Sequence, residues 1–380
     1  MLRFFPYLVK SLWRHRVRTG LTVSGSAVAL FVFCFVGAVQ EGLARLTQNR
    51  QAERSLIVFQ TNRFCPSTSK LPEDYGRTIA EIPGVGDVTP IKVFMNNCRA
   101  SLDLVVFHGM PPDKLRRFRE MNVIDGGLQS FEQRPDAALV GQALANRRHL
   151  KVGQRFAIGE VTVHIAGIFT ASSPAEENFL YTHLDFLQRT RGLNSVGTVT
   201  QFEVKLAEGA DANAVSRAID AAFHGGPVAT DTRPKGVFEA NAVGDLAELI
   251  GFAHYLGYAC VGLVLAIVST TALMAVQDRV REHAVLQTLG FTGLRIFGLV
   301  LSESMIVGVG GGVLGVGAAL TTLGLSRLAV GTEGVTIAFT PSWTLALHGM
   351  GAALVIGVVA GMAPAWQAAR ADIVESLRAI

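Results

Sequence analysis

Long apolar stretches of the chain alternate with stretches of ordinary polarity. Four runs contain no Asp, Glu, Lys or Arg: residues 19–40, 249–277, 304–326 and 334–363. A helix needs roughly 20 apolar residues to cross about 30 Å of hydrocarbon, and each run is long enough. The pattern therefore predicts four membrane-spanning helices. We place them at residues 19–44 (with a stalk), 246–276, 293–326 and 343–363.

The segment between the first and second predicted helices, residues 45–245, has charges and prolines throughout and no run long enough to span a membrane. Alternating apolar residues predict strands at 55–60, 85–93, 102–107, 155–158, 161–169 and 200–206. Helix signals occur at 72–81, 141–150, 183–191 and 211–223. The predicted fold class is thus a multi-pass α-helical membrane protein with a large α+β domain, in two lobes, inserted between its first and second spanning helices.

Basic residues before the first helix predict how the chain is oriented in the membrane. Five residues are the only charged ones among the first 40, and all are positive: Arg3, Lys10, Arg14, Arg16 and Arg18. Because Lys and Arg concentrate on the cytoplasmic side, we expect residues 1–18 to form an amphipathic helix there. Residues 45–245 and the loop 327–342 are then outside, and the tail 364–380 is cytoplasmic. A cleaved signal peptide fits less well, because the apolar run is too long and Gly37-Ala38-Val39 is a poor cleavage site.

Composition supports a membrane protein and excludes several classes of function. The chain is 49% hydrophobic and 17% charged, and its net charge of +4 is too small to indicate nucleic-acid binding. The sequence contains no P-loop, no HExxH, no GxSxG and no cysteine pairs at zinc spacing. We therefore predict no catalytic, cofactor or metal-binding residues in this chain, and we do not expect it to be an enzyme.

A short polar segment, residues 277–292, separates the second and third predicted helices. As a helix it would place Val280, Val285, Leu286 and Leu289 on one side and charged residues elsewhere, and Gly290 would end it. By themselves these features equally fit a tight cytoplasmic turn. The order of residues favours a specific function. Arg281-Glu282-His283-Ala284-Val285-Leu286-Gln287-Thr288-Leu289-Gly290, followed by Ser302-Glu303-Ser304, resembles the coupling helix of MacB-like and FtsX-like ABC transporter permeases.

Two further stretches carry the same resemblance. One runs from Ala138-Leu139-Val140-Gly141 to Ala166-Gly167-Ile168-Phe169 and is similar to the extracytoplasmic domain of those permeases. The other, Pro364-Ala365-Trp366-Gln367-Ala368-Ala369 with Ser376-Leu377-Arg378, resembles their C-terminal ending. The sequence departs from the family pattern at His283, Ala284 and Thr288, where the family has Ile, Gly and Ala.

The resemblance implies partners and a site. The chain would be an inner-membrane permease that pairs with a second permease chain, identical or not, and with a separate ATPase that binds ATP and Mg. A periplasmic adaptor or envelope protein is a further partner. The output would be export or efflux, lipoprotein extraction, or envelope remodelling. Residues of the coupling helix would contact the ATPase: Arg279, Arg281, Glu282, Val285, Leu286, Leu289 and Gly290.

Glycines within the third and fourth predicted helices have the small-xxx-small spacing of membrane-helix contacts. The pairs are Gly308/Gly312, Gly311/Gly315 and Gly357/Gly361. Residues 310–315 also match GxGxxG by letter, but a dinucleotide site needs a preceding strand, and this stretch is inside a predicted spanning helix. We expect helix packing rather than lipid-facing glycines. Glu303, an acid within a span, is expected to serve packing or coupling rather than proton transport.

Two cysteines leave one structural question open. Cys65 and Cys98 are both in the predicted extracytoplasmic domain, where oxidation is possible, and the sequence leaves open whether they form a disulfide.

Two other functions remain as alternatives. A membrane-anchored sensor or scaffold that does not use ATP is the second candidate for the whole chain. An intramembrane enzyme is the third, and the missing catalytic residues argue against it.

Overall fold

A computed structural model describes residues 14, 16–47, 54–63, 68–96, 104–326, 329–332 and 335–370 of the 380-residue chain. Most of the predicted N-terminal amphipathic helix (residues 1–18) lies outside these residues, since only residues 14 and 16–18 of it are described; Cys65, Cys98 and the end of the tail also lie outside them. The chain divides into two compact units. One, here called the helix unit, comprises Met1–Gln40, Leu249–Leu325 and Pro341–Ile380. The other, the sheet unit, comprises Glu41–Glu248 and Ser326–Thr340.

Four helices in the described part of the chain are long and apolar enough to cross a membrane. They are α1 (Arg16–Thr47), α9 (Gly244–Asp278), α11 (Gly293–Ser326) and α12 (Trp343–Ala369). A short helix, α10 (Val280–Thr288), connects α9 and α11. These helices, with an α+β unit inserted between the first and second, confirm the predicted fold class.

The fourth long helix corrects one predicted boundary. We expected Pro364 to end this helix at residue 363, but Pro364 is buried inside α12, which continues to Ala369. Proline lacks only one helical N–H, and membrane helices tolerate this because neighbouring helices can satisfy the freed carbonyl. Ala365 and Ala368, just beyond Pro364, are fully buried with Val276, Ile296 and Val300. Packing against α9 and α11 therefore extends the helix past the proline.

The sheet unit is built on one mixed sheet of ten strands. Its strands are β1 (Ser55–Gln60), β3 (Val85–Met95), β4 (Val106–Met110), β5 (Met121–Gly126), β6 (Ala137–Gly141), β7 (Arg155–Ile158), β8 (Val161–Ala171), β9 (Phe179–His183), β11 (Gln201–Leu206) and β12 (Thr230–Pro234). The strand order is β12-β1-β11-β3-β4-β9-β6-β8-β5, and β7 pairs with β8. A small separate pair joins β2 (Leu71–Pro72) to β10 (Thr198–Val199).

Seven α-helices in the described part of this unit cover the sheet or follow its strands. They are α2 (Tyr75–Ala80), α3 (Pro112–Phe118), α4 (Leu128–Gln133), α5 (Gln142–Arg148), α6 (Leu184–Thr190), α7 (Ala212–Phe223) and α8 (Lys235–Ala242). Short 3-10 turns occur at Glu176–Asn178 and Leu193–Ser195. Asp211 begins α7 by accepting a hydrogen bond from the Asn213 N–H, an N-cap that the sequence suggests.

Strand β3 divides the sheet unit into two lobes. Its first half pairs with β11 up to Ile91, and its second half pairs with β4 from Lys92 onward. The main core of the first lobe lies between the sheet and helices α2 and α7 and contains Leu56, Ile79, Phe202 and Ile219 among others. A smaller cluster in this lobe contains Ile57, Phe59 and Phe238. The second lobe has a core on each face of its sheet. The two lobes therefore share a single continuous strand.

A hairpin from the loop between α11 and α12 is part of the sheet unit. Its strands are β13 (Ala329–Thr332) and β14 (Val335–Ala338). The Thr336 hydroxyl donates a hydrogen bond of 2.8 Å to the Ala175 carbonyl oxygen, 161 residues away in the sequence. A Cβ built on Gly42 would lie only 2.9 Å from the Ala338 carbonyl oxygen. The loop between α11 and α12 is thus packed into the sheet unit.

Candidate coupling site on the helix unit

The candidate site is the short helix α10 and the ends of the long helices beside it. The sequence breaks the helical run at Arg279, whose backbone is non-helical, so that α10 starts afresh at Val280. At the other end Gly290 takes a φ of +89°. The Gly290 N–H donates to the Gln287 carbonyl and the Phe291 N–H donates to the Leu286 carbonyl, a Schellman arrangement that satisfies two terminal carbonyls. Glycine favours this left-handed conformation because it lacks Cβ.

Arg279 and Glu303 form the most enclosed ion pair of this site. The Arg279 Nη1 atom lies 3.3 Å from Glu303 Oε1 and 3.2 Å from Oε2, and the side chains are 11% and 17% exposed. The pair connects the residue before α10 to the middle of α11. We expected Arg279 to be a solvated charge at the rim of an interface, and the structure contradicts this. Two buried opposite charges attract strongly, and each is costly without the other.

A second pair joins α1 to α9 at the same end of the helix unit. Arg18 Nη1 lies 2.9 Å from Asp278 Oδ2, and Arg18 also donates to the Thr271 carbonyl oxygen. Arg18, Asp278, Arg279 and Glu303 line one cavity of about 60 Å³, which also borders Ser304. Arg14 and Glu282 are 3.8 Å apart, but both are largely exposed, so this third pair contributes little. In the sequence, Arg18 served only to predict orientation, and neither Arg18 nor Asp278 was assigned to the site.

The surface of α10 is less uniform than the sequence pattern predicted. Ala284 is 2% exposed, while Val285 and Leu289 are 49% and 71% exposed. Leu286 is half-buried. Val285 and Leu289 are four residues apart and therefore share one side of the helix. Val280, like Leu286, is half-buried, so of the four residues predicted on one side Val285 and Leu289 are the exposed ones. Glu282 is exposed, and the side chains of Arg281 and His283 are outside the described part of the structure.

The predicted glycine pairs lie on two sides of α11. Gly308 and Gly312 face α12, where a Cβ built on Gly308 would lie 2.9 Å from Gly357 Cα. Gly361 faces Ser304 in the same contact, with a built Cβ 2.7 Å from Ser304 Cβ. Gly311 and Gly315 face α1, where a Cβ on Gly311 would lie 2.9 Å from Ser26 Cβ. The structure brings these glycines to helix contacts within one chain, so the middle of α11 is held against both α1 and α12.

Together these features define a polytopic membrane protein whose bundle of four helices carries a short polar helix at one end. Residues 19–222 match the family described as MacB-like periplasmic core domain, and residues 256–373 match the family described as FtsX-like permease C-terminal. Since the first match covers more than half of the chain, the protein belongs to the MacB-like and FtsX-like family of ABC transporter permeases.

Two curated relatives are ABC transporter permeases. The chain is 25% identical over 393 aligned positions to a permease protein of Mycobacterium tuberculosis, a match that covers 98% of this chain and 44% of the relative. It is 32% identical over 106 positions to the permease YknZ of Bacillus subtilis, covering 28% of this chain and 25% of YknZ. The chain therefore spans less than half the length of the relatives it matches.

Two solved structures each match about half of the chain. The periplasmic region of MacB from Actinobacillus actinomycetemcomitans matches 52% of this chain and 97% of that structure, with 10% identity and a TM-score of 0.39. The extracellular domain of YknZ from Gram-positive bacteria matches 47% of this chain and 99% of that structure, with 14% identity and a TM-score of 0.35.

Proposed function

We propose that this chain is the membrane subunit of an ABC transporter and passes ATP-driven movement of a separate ATPase to the sheet unit outside the cytoplasm. A second permease chain would complete the membrane part, and ATP and Mg would bind the ATPase. The output would be export or efflux, lipoprotein extraction or envelope remodelling. Membership in the ABC permease family supports the proposal.

The observation that carries the proposal is that α10 exposes apolar residues on one side while the residue before it is bound to α11. Val285 and Leu289 present apolar surface on one side of this helix, outside the long apolar spans. The residue that precedes the helix, Arg279, is fixed to α11 through Glu303. A partner bound to the exposed side would push on a helix that is tied to the bundle. Movement would then reach α11 rather than being lost in a flexible connection.

The first experiment tests the exposed side of α10. Leu289→Asp places a charge where an apolar anchor would enter a groove of the ATPase. Losing a buried anchor commonly costs more than about 1–2 kcal/mol, so binding should weaken by roughly tenfold or more. The measurement is Mg-dependent ATP hydrolysis that co-purifies with the tagged chain, normalised to the amount of chain in the membrane.

The matched control is Thr288→Asp. Thr288 is also exposed, is adjacent to Leu289, and would place the same charge at the same end of the helix dipole. It should retain most of the co-purifying hydrolysis because it removes little apolar surface. Leu286→Asp is a poorer test than the sequence suggested, since Leu286 is half-buried and its replacement would disturb the chain itself. Equal hydrolysis by the Leu289 variant, the control and the unmodified chain would contradict the coupling assignment.

A further inference from the structure

A buried cluster of charges lies where the two lobes of the sheet unit meet. Glu203, on β11, accepts from Arg119 at 2.6 Å through Oε2 and from Lys235 at 3.1 Å through Oε1. Arg119 directly follows α3 in the second lobe and also donates to the Tyr181 hydroxyl on β9 at 3.1 Å. Lys235 is the first residue of α8. The Glu203 carboxylate thus connects three separate elements.

Electrostatics show that Glu203 is the charged centre of this cluster. Burial raises the pKa of Glu203, but Arg119 and Lys235 outweigh this effect and hold it below the usual range. Burial lowers the pKa of Lys235, and attraction to Glu203 outweighs it, so that the net pKa is raised. Glu239, also on α8, differs from Glu203, because its own burial raises its pKa to about 7.

Stability alone does not explain such a cluster. Well-packed apolar residues of similar volume are commonly as stabilising as a buried ion pair, whereas removing one partner is strongly destabilising. What the ions add is a fixed geometry, since each Glu203 oxygen accepts from one defined cation. The cluster therefore fixes the position of α8 on the sheet more strictly than apolar packing would.

Helix α8 is the element in this cluster that is connected directly to a membrane span. Besides the ion pair of Lys235, α8 contacts the sheet through Phe238, whose ring centroid lies 5.2 Å from that of Phe59 on β1. After Val243 the chain continues as α9, which runs from Gly244 to Asp278. Because α8 directly precedes α9 in the chain, a displacement of α9 would move α8 first. The ion pair between Lys235 and Glu203 would then pass this movement to the sheet.

We infer that Lys235 and Glu203 are positioning residues that hold α8 to both lobes, so that movement of α9 displaces the lobes together. This inference rests on the proposed function and names the residues in the sheet unit through which movement is received. Lys235 ties α8 to the first lobe at Glu203, and Arg119 ties that same carboxylate to the second lobe.

The experiment is hydrogen exchange of the sheet unit in the full chain purified with its ATPase, without nucleotide and with Mg-ATP plus vanadate. Lys235→Met removes the charge and keeps an unbranched side chain, while Lys235→Arg keeps the charge. Lys151→Met is the control for an exposed lysine.

The unmodified chain, Lys235→Arg and Lys151→Met should each show a nucleotide-dependent change of exchange in β4 and β11. Lys235→Met should lose that change and exchange its α8 amides roughly a hundredfold faster, because Glu203 loses one of its two cations.

A purely structural cluster gives a different result. Lys235→Met would then exchange faster in both states but keep the difference between them, which would overturn the inference. Unchanged α8 exchange in Lys235→Met would overturn it as well. Failure of the proposed function would give a distinct result, because no ATPase would then co-purify with the unmodified chain. In that case, comparing α8 exchange in the unmodified chain and in Lys235→Met, each without ATPase, still tests whether Lys235 holds α8. If the ATPase hydrolyses ATP without altering exchange in the unmodified sheet unit, transmission through Lys235 is excluded.

Discussion

At the scale of single residues, the pairing of Arg279 with Glu303 changes what a substitution should do. Sequence reasoning expected Arg279→Ala to be mild, because water would solvate the charge. The side chain is in fact 11% exposed and bound to a carboxylate that is 17% exposed. Arg279→Ala would leave Glu303 enclosed without this cation, and we expect a loss of stability on the order of 3 kcal/mol.

The matched variant for this prediction is the double substitution Arg279→Met with Glu303→Met. It removes both charges and leaves apolar side chains of similar length, so most of the stability should return. Thermal unfolding of the chain in detergent measures the effect. A single variant as stable as the unmodified chain would show that the pair is dispensable.

His108 provides a second prediction at this scale. Its side chain is 7% exposed, and within the described structure its Nδ1 atom has no hydrogen-bond partner. Burial, and then the nearby Arg119, lower the pKa of His108 to about 3. The unfolded chain takes up this proton below about pH 6.5 and the folded unit does not, so folding stability falls as the pH decreases below that value.

At pH 5 this loss amounts to about 2 kcal/mol relative to pH 7, at 1.36 kcal/mol for each pH unit below 6.5. His108→Phe keeps a ring against Phe179, whose centroid is 4.6 Å away, and cannot be protonated. It should therefore lose less stability between pH 7 and pH 5, as measured by pulse proteolysis in urea. His224→Phe serves as the control because His224 is exposed. An unchanged acid sensitivity of His108→Phe would refute the prediction.

At the scale of elements, glycine contacts determine how closely α11 and α12 approach. A Cβ on Gly357 would lie 3.0 Å from Met305 Cα, a backbone atom that cannot move aside without shifting α11. Gly351, on the same helix, is exposed and a Cβ there would meet nothing within 4 Å. We expect Gly357→Ala to lower the thermal stability of the chain and Gly351→Ala to leave it unchanged or slightly higher, since alanine favours helices.

Elements also show what the sequence could and could not predict. The strand at residues 155–158 and helix α7 follow from alternation and an Asp N-cap, and the strand at residues 55–60 follows from a run of β-branched and aromatic residues; all of these are local signals. Strands β6 and β9 were missed because they are short and almost uniformly buried, so that no alternation marks them. Strand β12 was missed because its residues, Thr230–Pro234, are polar and end in a proline. Strand β4 was predicted a few residues too early.

The candidate site was only partly predictable for a related reason. Local sequence order identified α10, its terminal Gly290 and the glycine pairs. The ion pairs join residues far apart, with 24 positions between Arg279 and Glu303 and 260 between Arg18 and Asp278. Arg119, Glu203 and Lys235 likewise come from three distant elements. No local pattern encodes such pairings, because they depend on how helices and lobes are placed in space.

At the scale of the whole molecule, the charge bias before α1 makes a prediction about orientation. If the N-terminus is cytoplasmic, Thr288 on α10 faces the cytoplasm and Ser130, an exposed residue on α4, is outside. Single cysteines at these positions, in a chain whose four native cysteines are replaced, should react differently with a membrane-impermeant maleimide added to intact cells. We expect labelling at Ser130→Cys and none at Thr288→Cys until the membrane is opened. The reverse pattern would invert the topology.

The hairpin β13–β14 has a consequence for the order in which the protein is made. A ribosome synthesises residues 41–248 first, and the hairpin that contacts Ala175 and Gly42 emerges only after α11. The sheet unit is therefore completed by a hairpin that is synthesised after α9 and α11. Contacts of such long sequence separation close slowly. Completion of the sheet unit thus waits for synthesis of α11, and a nascent chain stopped before residue 329 would leave Leu104, which packs against Gly331, uncovered.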